Sequence, residues 1–399
     1  MDKNKLHICI VTGQFPALTE TFVTSKAVEL SNRGHRITII KNQQGGDTNK
    51  SHIELVRKSG IETFSFVEPS TIKSLFLAIV KHPILAAQSF TANPRIFKSK
   101  FVSKLQLALL NNYPFDIIHF EFSGLAVAYQ NAIQHLKTKI VVSCRGTAEK
   151  VKTISDAGRK KKLTTVFELV SAIHCVSQDM ANTIIPFCKQ PHKIFVNRPS
   201  IDVNIFKRSN AYPPEKSKMI ILSVGRFTFQ KGYLPGLLAV KELKNRGVPI
   251  CWKIVGDGPQ LEEIQYYIHD LQLQEDVELL GKKSRNEVIE LYNDCHVFFL
   301  PSVYEGIANV CLEAMAMELP VVATKSGGME EVIENEIDGL LVEKYDHNMM
   351  ANQLQMIAKN ASLCIQMGLK ARRKVESAFS LERQVNVFEN EYEKLKQSN

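Results

Sequence analysis

Short apolar runs alternate with longer helical stretches along this chain, and the alternation occurs twice. The first run, residues 6–11, ends at Gly13 and is followed by a helical stretch and a second run at residues 36–40. This β-α-β opening predicts a parallel sheet with helices on both faces. The alternation restarts at residues 219–224, after a polar, proline-rich segment. The pattern therefore predicts two α/β halves whose ligands bind outside the carboxyl ends of the strands.

A chain of 399 residues is too long for one typical core, and it fits two domains of ordinary size. We predict a first domain over residues 1–207, a linker over 208–218, a second domain over 219–380 and a final helix over 381–399. That helix carries a single apolar stripe. Further strands are predicted at 117–119, 140–143, 172–176 and 194–196, and at 251–255, 277–280, 296–300 and 320–323.

Basic residues are concentrated in the first half. Residues 1–207 carry a net charge of +14 and residues 208–399 carry −5, so the total of +9 hides an asymmetry. Residues 71–112 contain six Lys or Arg and no acidic residue, interleaved with apolar side chains, and residues 159–162 form a second basic cluster. This pattern favours an anionic membrane surface as partner, or else a solvated basic face over core helices. Nucleic acid is not expected, because no RNA- or DNA-reading motif accompanies the charge.

The sequence gives no sign of a membrane span, a disulfide framework or a metal site. No apolar run approaches the roughly 18 residues that cross a bilayer, and the first residues lack a signal-peptide pattern. The eight cysteines are widely spaced, which indicates reduced core residues. No Asp-x-Asp triplet occurs, so we expect no metal and no other cofactor. We predict a cytoplasmic protein, peripheral at the inner face of the plasma membrane.

The segment from residue 301 to 324 carries the densest chemical signal. Glu305 and Glu313 lie eight positions apart, the first in a predicted strand-to-helix loop and the second in a helix that Asn309 can cap. Free N–H groups at such a helix start suit an anion, and carboxylates accept hydrogen bonds from vicinal hydroxyls. A sugar nucleotide offers both. The alternative is a buried helix with a capped start.

Two permanent cations follow the predicted strand at residues 219–224. Arg226 and Lys231 lie five residues apart in a loop that opens a helix. A guanidinium binds a diphosphate in bidentate fashion, and an ammonium adds a point charge. In a transfer reaction these cations would stabilise the departing nucleotide diphosphate, where negative charge develops.

The string from residue 301 to 324 resembles the signature of glycosyltransferase family 4. Residues 12–22 resemble the Phe-Pro-x-x-Ser-Glu-Thr-Phe segment of exopolysaccharide and colanic-acid-type members, with Thr19 for the usual serine, and residues 143–147 resemble the Arg-Gly variant of that branch. The resemblance implies the α/β GT-B fold, with two Rossmann-like domains, a cleft between them and a final helix that crosses back to the first domain. It also implies a retaining reaction with a nucleotide diphosphate sugar as donor.

The resemblance assigns roles to individual residues. Glu305 would contact the donor sugar and Glu313 the ribose, while Glu20, Thr21 and Arg145 would contact the acceptor. Residues expected to bind the donor are Gly13, Arg226, Lys231, Gly256, Gly258, Lys282, Glu305, Gly306, Ile307, Ala308, Asn309, Val310 and Glu313. Those expected in catalysis are Glu305, Arg226, Lys231, Glu121 and His119.

Residues 116–122 depart from the family pattern. Many members carry His-x-His here, with the second histidine at the catalytic centre, whereas this chain has His119 and Glu121. His119 is equally compatible with a buried structural role. Glu121 can act as a general base toward an acceptor hydroxyl, or it can mark lost or altered activity.

We expect transfer of a hexose from a uridine diphosphate sugar, or as second choice a guanosine diphosphate sugar. The acceptor would be lipid-linked or an oligosaccharide, in bacterial surface polysaccharide synthesis. Two alternatives stay open. One is a nucleotide-sugar epimerase or a phosphorylase on a related fold, and the other is a non-catalytic subunit that binds a sugar nucleotide.

Overall fold

The computed structural model describes residues 5–17, 20–44, 50–65, 103, 106, 107, 109–111, 113–212 and 217–398. The predicted basic stretch at 71–112 lies outside these residues except for a few positions, as do Thr19 and the prolines of the predicted linker. The chain divides into two compact units. The first unit comprises residues 1–176, 180–197 and 384–399, and the second comprises 177–179 and 198–383.

The first unit is built on a seven-stranded sheet with strand order β3-β2-β1-β4-β5-β6-β7. All neighbouring strands are parallel. The strand order changes direction between β1 and β4, and loops at the carboxyl ends beside such a switch point form the usual ligand site of this kind of sheet. The strands are β1 His7–Phe15, β2 Arg36–Gln44, β3 Glu62–Ser65, β4 Ile117–Phe120, β5 Lys139–Cys144, β6 Ala172–Cys175 and β7 Ile194–Val196.

Helices connect these strands, and the last helix of the chain contributes its residues 384–397 to the same unit. Its buried side chains include Val385, Phe388 and Tyr392, as the predicted apolar stripe requires. The described helices of this unit are α1 Thr21–Asn32, α2 Lys50–Lys58, α3 Ser123–Ala128, α4 Gln130–Ile133, α5 Thr147–Lys150, α6 Lys152–Ser155, α7 Ala157–Leu169 and α8 Gln178–Ile184, followed by the 3-10 turns Ile185–Phe187 and Pro191–Lys193.

The second unit contains a six-stranded parallel sheet of order β10-β9-β8-β11-β12-β13, with its switch point between β8 and β11. Its strands are β8 Met219–Val224, β9 Ile250–Val255, β10 Val277–Gly281, β11 Val297–Leu300, β12 Val321–Thr324 and β13 Leu340–Val342. Its helices are α9 Tyr233–Asn245, α10 Leu261–Asp270, α11 Arg285–Asp294, α12 Asn309–Ala316, α13 His347–Lys359 and α14 Ala361–Ala378, and α15 spans Leu381–Gln397; 3-10 turns span Phe229–Lys231 and Gly328–Glu331.

Helices on both faces explain why the central strands are continuous apolar runs. Every residue of β4, β6, β11 and β12 is buried. The eight cysteines are all free and buried, as predicted from their spacing. Four of them, Cys9, Cys144, Cys175 and Cys188, lie in the first unit, and Cys251, Cys295, Cys311 and Cys364 lie in the second.

The predicted α/β fold with two Rossmann-like sheets is confirmed. The predicted strands are all present, whereas β3 and β13 were not predicted. Strand β1 also continues four residues beyond the predicted end, through Gly13 to Phe15. Among the described residues, no helix is both long enough and apolar enough to cross a membrane.

Candidate active site

A lysine and a glutamate meet in the second unit, at the switch point of its sheet. Lys231 ends the 3-10 turn after β8, and Glu305 lies in the loop after β11. Lys231 Nζ donates to Glu305 Oε1 at 2.7 Å, and Ser302 Oγ donates to the same oxygen at 2.8 Å. Glu305 is 5% exposed. Its second oxygen, Oε2, accepts no hydrogen bond from the described residues, and it is therefore available to a ligand.

Unpaired backbone donors follow Glu305 at the start of α12. The N–H groups of residues 306–310 donate no hydrogen bond within the described part of the chain. The predicted cap is wrong, since Asn309 is the first helical residue and Ala308, at the N-cap, has no side-chain cap. The loop is packed tightly, because a Cβ added to Gly328 would lie 1.7 Å from the carbonyl oxygen of Gly306. Free amides at the start of a helix favour an anion.

Close backbone contacts also join the loops after β8 and β9. A Cβ on Gly256 would lie 1.9 Å from the carbonyl oxygen of Gly225, and one on Gly258 would lie 2.5 Å from that of Phe227. Hydrogen bonds reinforce the contact, since Phe227 N donates to Asp257 O at 3.0 Å. The predicted turn at residues 256–258 therefore supports the loop that carries Arg226.

Arg226 and Lys282 are both exposed. The side chain of Arg226 makes no hydrogen bond or ion pair with any described residue, so its guanidinium is free to bind an anion. Lys282 Nζ instead forms an ion pair with Asp257 Oδ2 at 3.1 Å, with side chains 81% and 44% exposed. Such an exposed pair is weak and can open for a ligand.

Glu313 lies in the second turn of α12, as predicted, and is partly buried. Burial raises the pKa of Glu313 to about 7, although a hydrogen bond from Tyr292 and the charge of Arg285 oppose this shift. Tyr292 Oη lies 3.1 Å from Glu313 Oε2 and 3.2 Å from Val310 O, and its single hydrogen is shared between these two acceptors. The tyrosine thus fixes the carboxyl group against the helix start.

In the first unit, Glu121 directly follows β4 and has no exposed surface. Lys26 Nζ donates to its Oε1, and Arg145 Nη2 donates to its Oε2 at 2.6 Å. Burial alone would raise the pKa of Glu121, but the charges of Lys26 and Arg145 outweigh it and hold the pKa well below its usual range. Glu121 is an ionised carboxylate with both oxygens occupied.

Of the predicted acceptor residues, Arg145 bonds this carboxylate and Glu20 lies close enough to interact with its charge. Glu20 precedes α1 and accepts a hydrogen bond from Thr12 Oγ1 at 3.2 Å, and burial raises its pKa against the effects of Thr12 and Arg145. Thr21 begins α1 and is partly buried. The guanidinium of Arg145 stacks on Phe22, 4.1 Å from the ring centroid. Gly13 has open space at its Cβ position, so no contact within the described protein requires a glycine there.

His119 lies in the core of the first unit within a chain of hydrogen bonds. Tyr392 Oη lies 2.6 Å from its Nδ1 and Ser143 Oγ lies 2.8 Å from its Nε2. Ser143 also bonds His174 Nδ1 at 2.8 Å, and His174 Nε2 lies 2.7 Å from the carbonyl oxygen of Asn197. Burial and the charge of Lys26 lower the pKa of His119 well below its usual value. His119 therefore has no exposed surface, and its ring stays neutral near pH 7.

The predicted residues thus form two groups, one in each unit. Lys26, Ser302 and Tyr292 were not predicted, although they hold the key carboxylates. A signal for Lys26 is present in the sequence, because it falls on the same helical face as Val23, Ala27 and Leu30. No group of three or more His, Cys, Asp or Glu side chains among the described residues is arranged to hold a metal ion.

Comparisons with known proteins identify the class. Residues 204–374 match the family described as glycosyl transferases group 1, and residues 19–205 match the family described as glycosyltransferase family 4. The chain therefore belongs to glycosyltransferase family 4, as the motifs predicted, and it is an enzyme of the GT-B fold.

Two curated relatives span nearly the whole chain. The putative colanic acid biosynthesis glycosyltransferase WcaL of Salmonella typhimurium is 25% identical over 86% of this chain and 88% of its own. The amylovoran biosynthesis glycosyltransferase AmsK of Erwinia amylovora is 26% identical over 94% of this chain and 96% of its own. Among solved structures, HepE of Anabaena, in complex with UDP and glucose, superposes with a TM-score of 0.76 at 16% identity, covering 97% of this chain and 99% of HepE. That last similarity shows the fold alone.

Proposed function

We propose that this enzyme transfers a hexose, with retention of the anomeric configuration, from a nucleotide diphosphate sugar to a lipid-linked or oligosaccharide acceptor in bacterial surface polysaccharide synthesis. The observation that supports it most is the group formed by Lys231, Glu305 and the free amides of residues 306–310. It combines cationic and N–H donors for a diphosphate with a carboxylate oxygen for a sugar hydroxyl. The names of both curated relatives fit a role in polysaccharide synthesis.

Each donor residue has a distinct task in this proposal. Arg226, which has no partner among the described residues, and Lys231 neutralise the diphosphate as it departs. Glu305 orients the sugar through Oε2, because its Oε1 is already occupied by Lys231 and Ser302. Glu313 accepts from the ribose hydroxyls. A uridine diphosphate sugar is the first candidate and a guanosine diphosphate sugar the second, with no metal required.

The general base is better sought outside Glu121. A carboxylate that is fully buried, bonded to two cations and depressed in pKa has little tendency to accept a proton. We therefore propose that the departing diphosphate itself receives the acceptor proton, in a front-face reaction that needs no protein nucleophile. Glu121 and His119 then support the predicted acceptor contacts within the first unit without entering the chemistry.

Membrane docking is proposed for residues 150–162 of the first unit. This segment contains six Lys or Arg and one acidic residue. At its tip Ile154 is 86% exposed, and Lys152 and residues 160–162 are exposed as well. An exposed aliphatic side chain among cations suits the surface of an anionic bilayer. The segment begins five residues after Arg145, so docking would bring a lipid-linked acceptor near its predicted contacts.

A donor screen tests the proposed activity. Wild type and Glu305→Ala are incubated with uridine, guanosine and adenosine diphosphate sugars and a bacterial lipid extract, and products and melting temperatures are recorded. One donor should raise the melting temperature of the wild type and yield a glycosylated lipid or oligosaccharide, and Glu305→Ala should yield none. An epimerised sugar or a sugar phosphate as sole product would point to the alternative enzyme classes. Donor binding without any product would favour a non-catalytic subunit.

Sedimentation with vesicles tests the docking surface. Wild type should sediment with phosphatidylglycerol vesicles at low salt and stay in solution with phosphatidylcholine vesicles. Ile154→Ser combined with charge reversal at residues 160–162 should abolish sedimentation, while the reversal of exposed Lys325 in the second unit should not change it. Equal sedimentation of all three proteins would contradict the proposed surface.

A further inference from the structure

Lys26 is a charged residue whose side chain is almost completely buried. It is the sixth residue of α1, and its side chain is only 2% exposed. Burial lowers the pKa of Lys26, and the charge of Glu121 and its hydrogen bond oppose that effect. A buried ammonium persists only where its surroundings compensate the lost hydration, so its neighbours define what it does.

The direction of the hydrogen bonds beside Lys26 shows that Glu121 is its ionic partner. Burial lowers the pKa of His119 and of His174, so both rings are neutral. A carbonyl oxygen only accepts, so His174 Nε2 donates to Asn197 O, and its unprotonated Nδ1 accepts from Ser143. Ser143 Oγ then accepts from His119 Nε2, which leaves His119 Nδ1 as an acceptor. Lys26 Nζ lies 3.4 Å from His119 Nδ1 and 4.6 Å from the centroid of Phe388, and neither group neutralises its charge.

Glu121 divides its two oxygens between two cations. Oε1 accepts from Lys26, and Oε2 accepts from Arg145 Nη2 at 2.6 Å. Arg145 Nε also donates to the main-chain oxygen of Glu121 at 2.9 Å. The bond from Lys26 to Oε1 fixes the orientation of the carboxylate, and in this orientation Oε2 faces Arg145.

This arrangement fixes the guanidinium of Arg145 while leaving part of it available. Two of its five N–H bonds point to Glu121, and its plane stacks on Phe22. Arg145 Nη1 donates to no described residue, and the side chain is 16% exposed. A guanidinium held in this way can offer its remaining N–H groups to substrate oxygens at little entropic cost.

We propose that Lys26 is a positioning residue for glycosyl transfer, which acts through Glu121 to hold Arg145 in the orientation that binds the acceptor. This inference rests on the proposed function and on the acceptor contact that the family resemblance predicts for Arg145. A lysine that serves only to neutralise Glu121 would contribute to stability alone. The two roles differ in what happens when the buried charges are removed together.

The test compares Lys26→Met, the double variant Lys26→Met/Glu121→Gln, and Arg33→Met. Arg33 is the control, because it forms an ion pair with Glu389, at 2.6 Å, within the same unit but away from Arg145, although its side chain is 18% exposed and that of Lys26 is 2% exposed. With UDP-glucose, or the donor that the screen selects, and lipid extract as acceptor, Lys26→Met should lower kcat/KM about 10- to 100-fold through a raised KM for the acceptor. Arg33→Met should lower the melting temperature and leave kcat and the KM for the acceptor unchanged.

The double variant separates positioning from stability. It should regain part of the melting temperature that Lys26→Met loses, because the fully buried carboxylate no longer lacks its ammonium partner, and the introduced amide oxygen can still accept from the partly exposed Arg145. Its kcat/KM should nevertheless stay low. Combining Lys26→Met with Arg145→Ala should be no slower than Arg145→Ala alone, since both act through one guanidinium. Recovery of kcat/KM in the double variant, or losses that multiply with Arg145→Ala, would overturn the proposal.

A readout without turnover keeps the test independent of the proposed function. Phenylglyoxal modification of Arg145, followed by peptide mass spectrometry, should be several-fold faster in Lys26→Met and in the double variant than in wild type or Arg33→Met. If the wild type transfers no sugar from any donor, the proposed function fails, and this rate still decides whether Lys26 holds Arg145. An unchanged rate in both Lys26 variants would show that it does not.

Discussion

Each unit places a buried glutamate just beyond a central strand, and each glutamate pairs with a lysine. In the first unit, Glu121 has no exposed surface and gives one oxygen to Lys26 and the other to Arg145. In the second unit, Glu305 is 5% exposed and gives one oxygen to both Lys231 and Ser302. Both oxygens of Glu121 therefore accept hydrogen bonds from the protein, whereas Glu305 keeps one oxygen that accepts none from the described residues. Of these two glutamates, Glu121 therefore supports its neighbours, and Glu305 is placed to contact a ligand.

Removing the two carboxylates should give the largest difference. Glu121→Ala leaves Lys26 buried without its anion, and we expect it to lower the free energy of unfolding by about 3–5 kcal/mol. Glu305→Ala frees Lys231, which is already 17% exposed and can be hydrated, so we expect a loss within about 1 kcal/mol. Urea denaturation of both variants measures the difference. Equal losses would mean that Glu305 is also a structural residue.

Substitution of Arg226 and of Arg145 should affect stability differently, as substitution of the two glutamates does. Arg226 has no partner in the described protein, so Arg226→Ala should leave the free energy of unfolding within about 0.5 kcal/mol of wild type. Its KM for the donor should rise about 10- to 100-fold, the usual loss for a hydrogen bond to a charged group. Arg145→Ala should destabilise the protein, because Arg145 is bonded to Glu121. Thermal melts and initial rates on both variants check this contrast.

Two glycines sharpen the comparison at the backbone. A Cβ on Gly258 would lie 2.5 Å from Phe227 O and 2.8 Å from Phe227 N, whereas one on Gly13 would meet nothing within 4 Å. Gly258→Ala should therefore cost about 1–3 kcal/mol of stability and weaken donor binding. Gly13→Ala should be neutral in a melt, and a raised donor KM in that variant would be the sign that a ligand approaches its backbone.

Glu313 should show the smallest effect, and one that depends on pH. Its pKa of about 7 in the folded protein exceeds the ordinary value of 4.5, so the folded state holds the proton more tightly and stability falls as pH rises from 4.5 to 7. A pKa change of this size corresponds to about 3 kcal/mol, and the partial exposure of Glu313 reduces it, so Glu313→Gln should be more stable than wild type by about 1–2 kcal/mol at pH 8 and equally stable at pH 4. At pH 8 the Glu313→Gln variant should bind the donor more weakly than the wild type does. Melting temperatures across this range, with and without donor, measure both effects.

Local pattern determined how much of the fold could be predicted. Strands such as β8 and β11 are apolar runs bounded by polar residues, and their positions followed directly. The strands β3, with the sequence Glu-Thr-Phe-Ser, and β13, with only three residues, lack such a run. Asn309 was expected to cap α12 because of its residue type, but the backbone places Ala308 at the cap.

Long-range contacts explain what the sequence did not reveal about the site. Glu305 and Glu313 belong to one segment, so their setting could be inferred locally. The pairing of Glu121 with Lys26 joins residues 95 positions apart and depends on how α1 packs on β4. From residue type alone Glu121 was a candidate base, and only its two cations reveal an ionised, saturated group.

The even division of the cysteines has a practical consequence. Because the eight thiols are buried, and burial raises the pKa of Cys9 and Cys311 among them, a thiol reagent reaches them only when the surrounding structure opens. Four belong to each unit. Pulsed alkylation read peptide by peptide would therefore report the opening free energy of each half separately in the unmodified wild type. The protein carries its own set of probes for asking which half a bound donor makes more rigid.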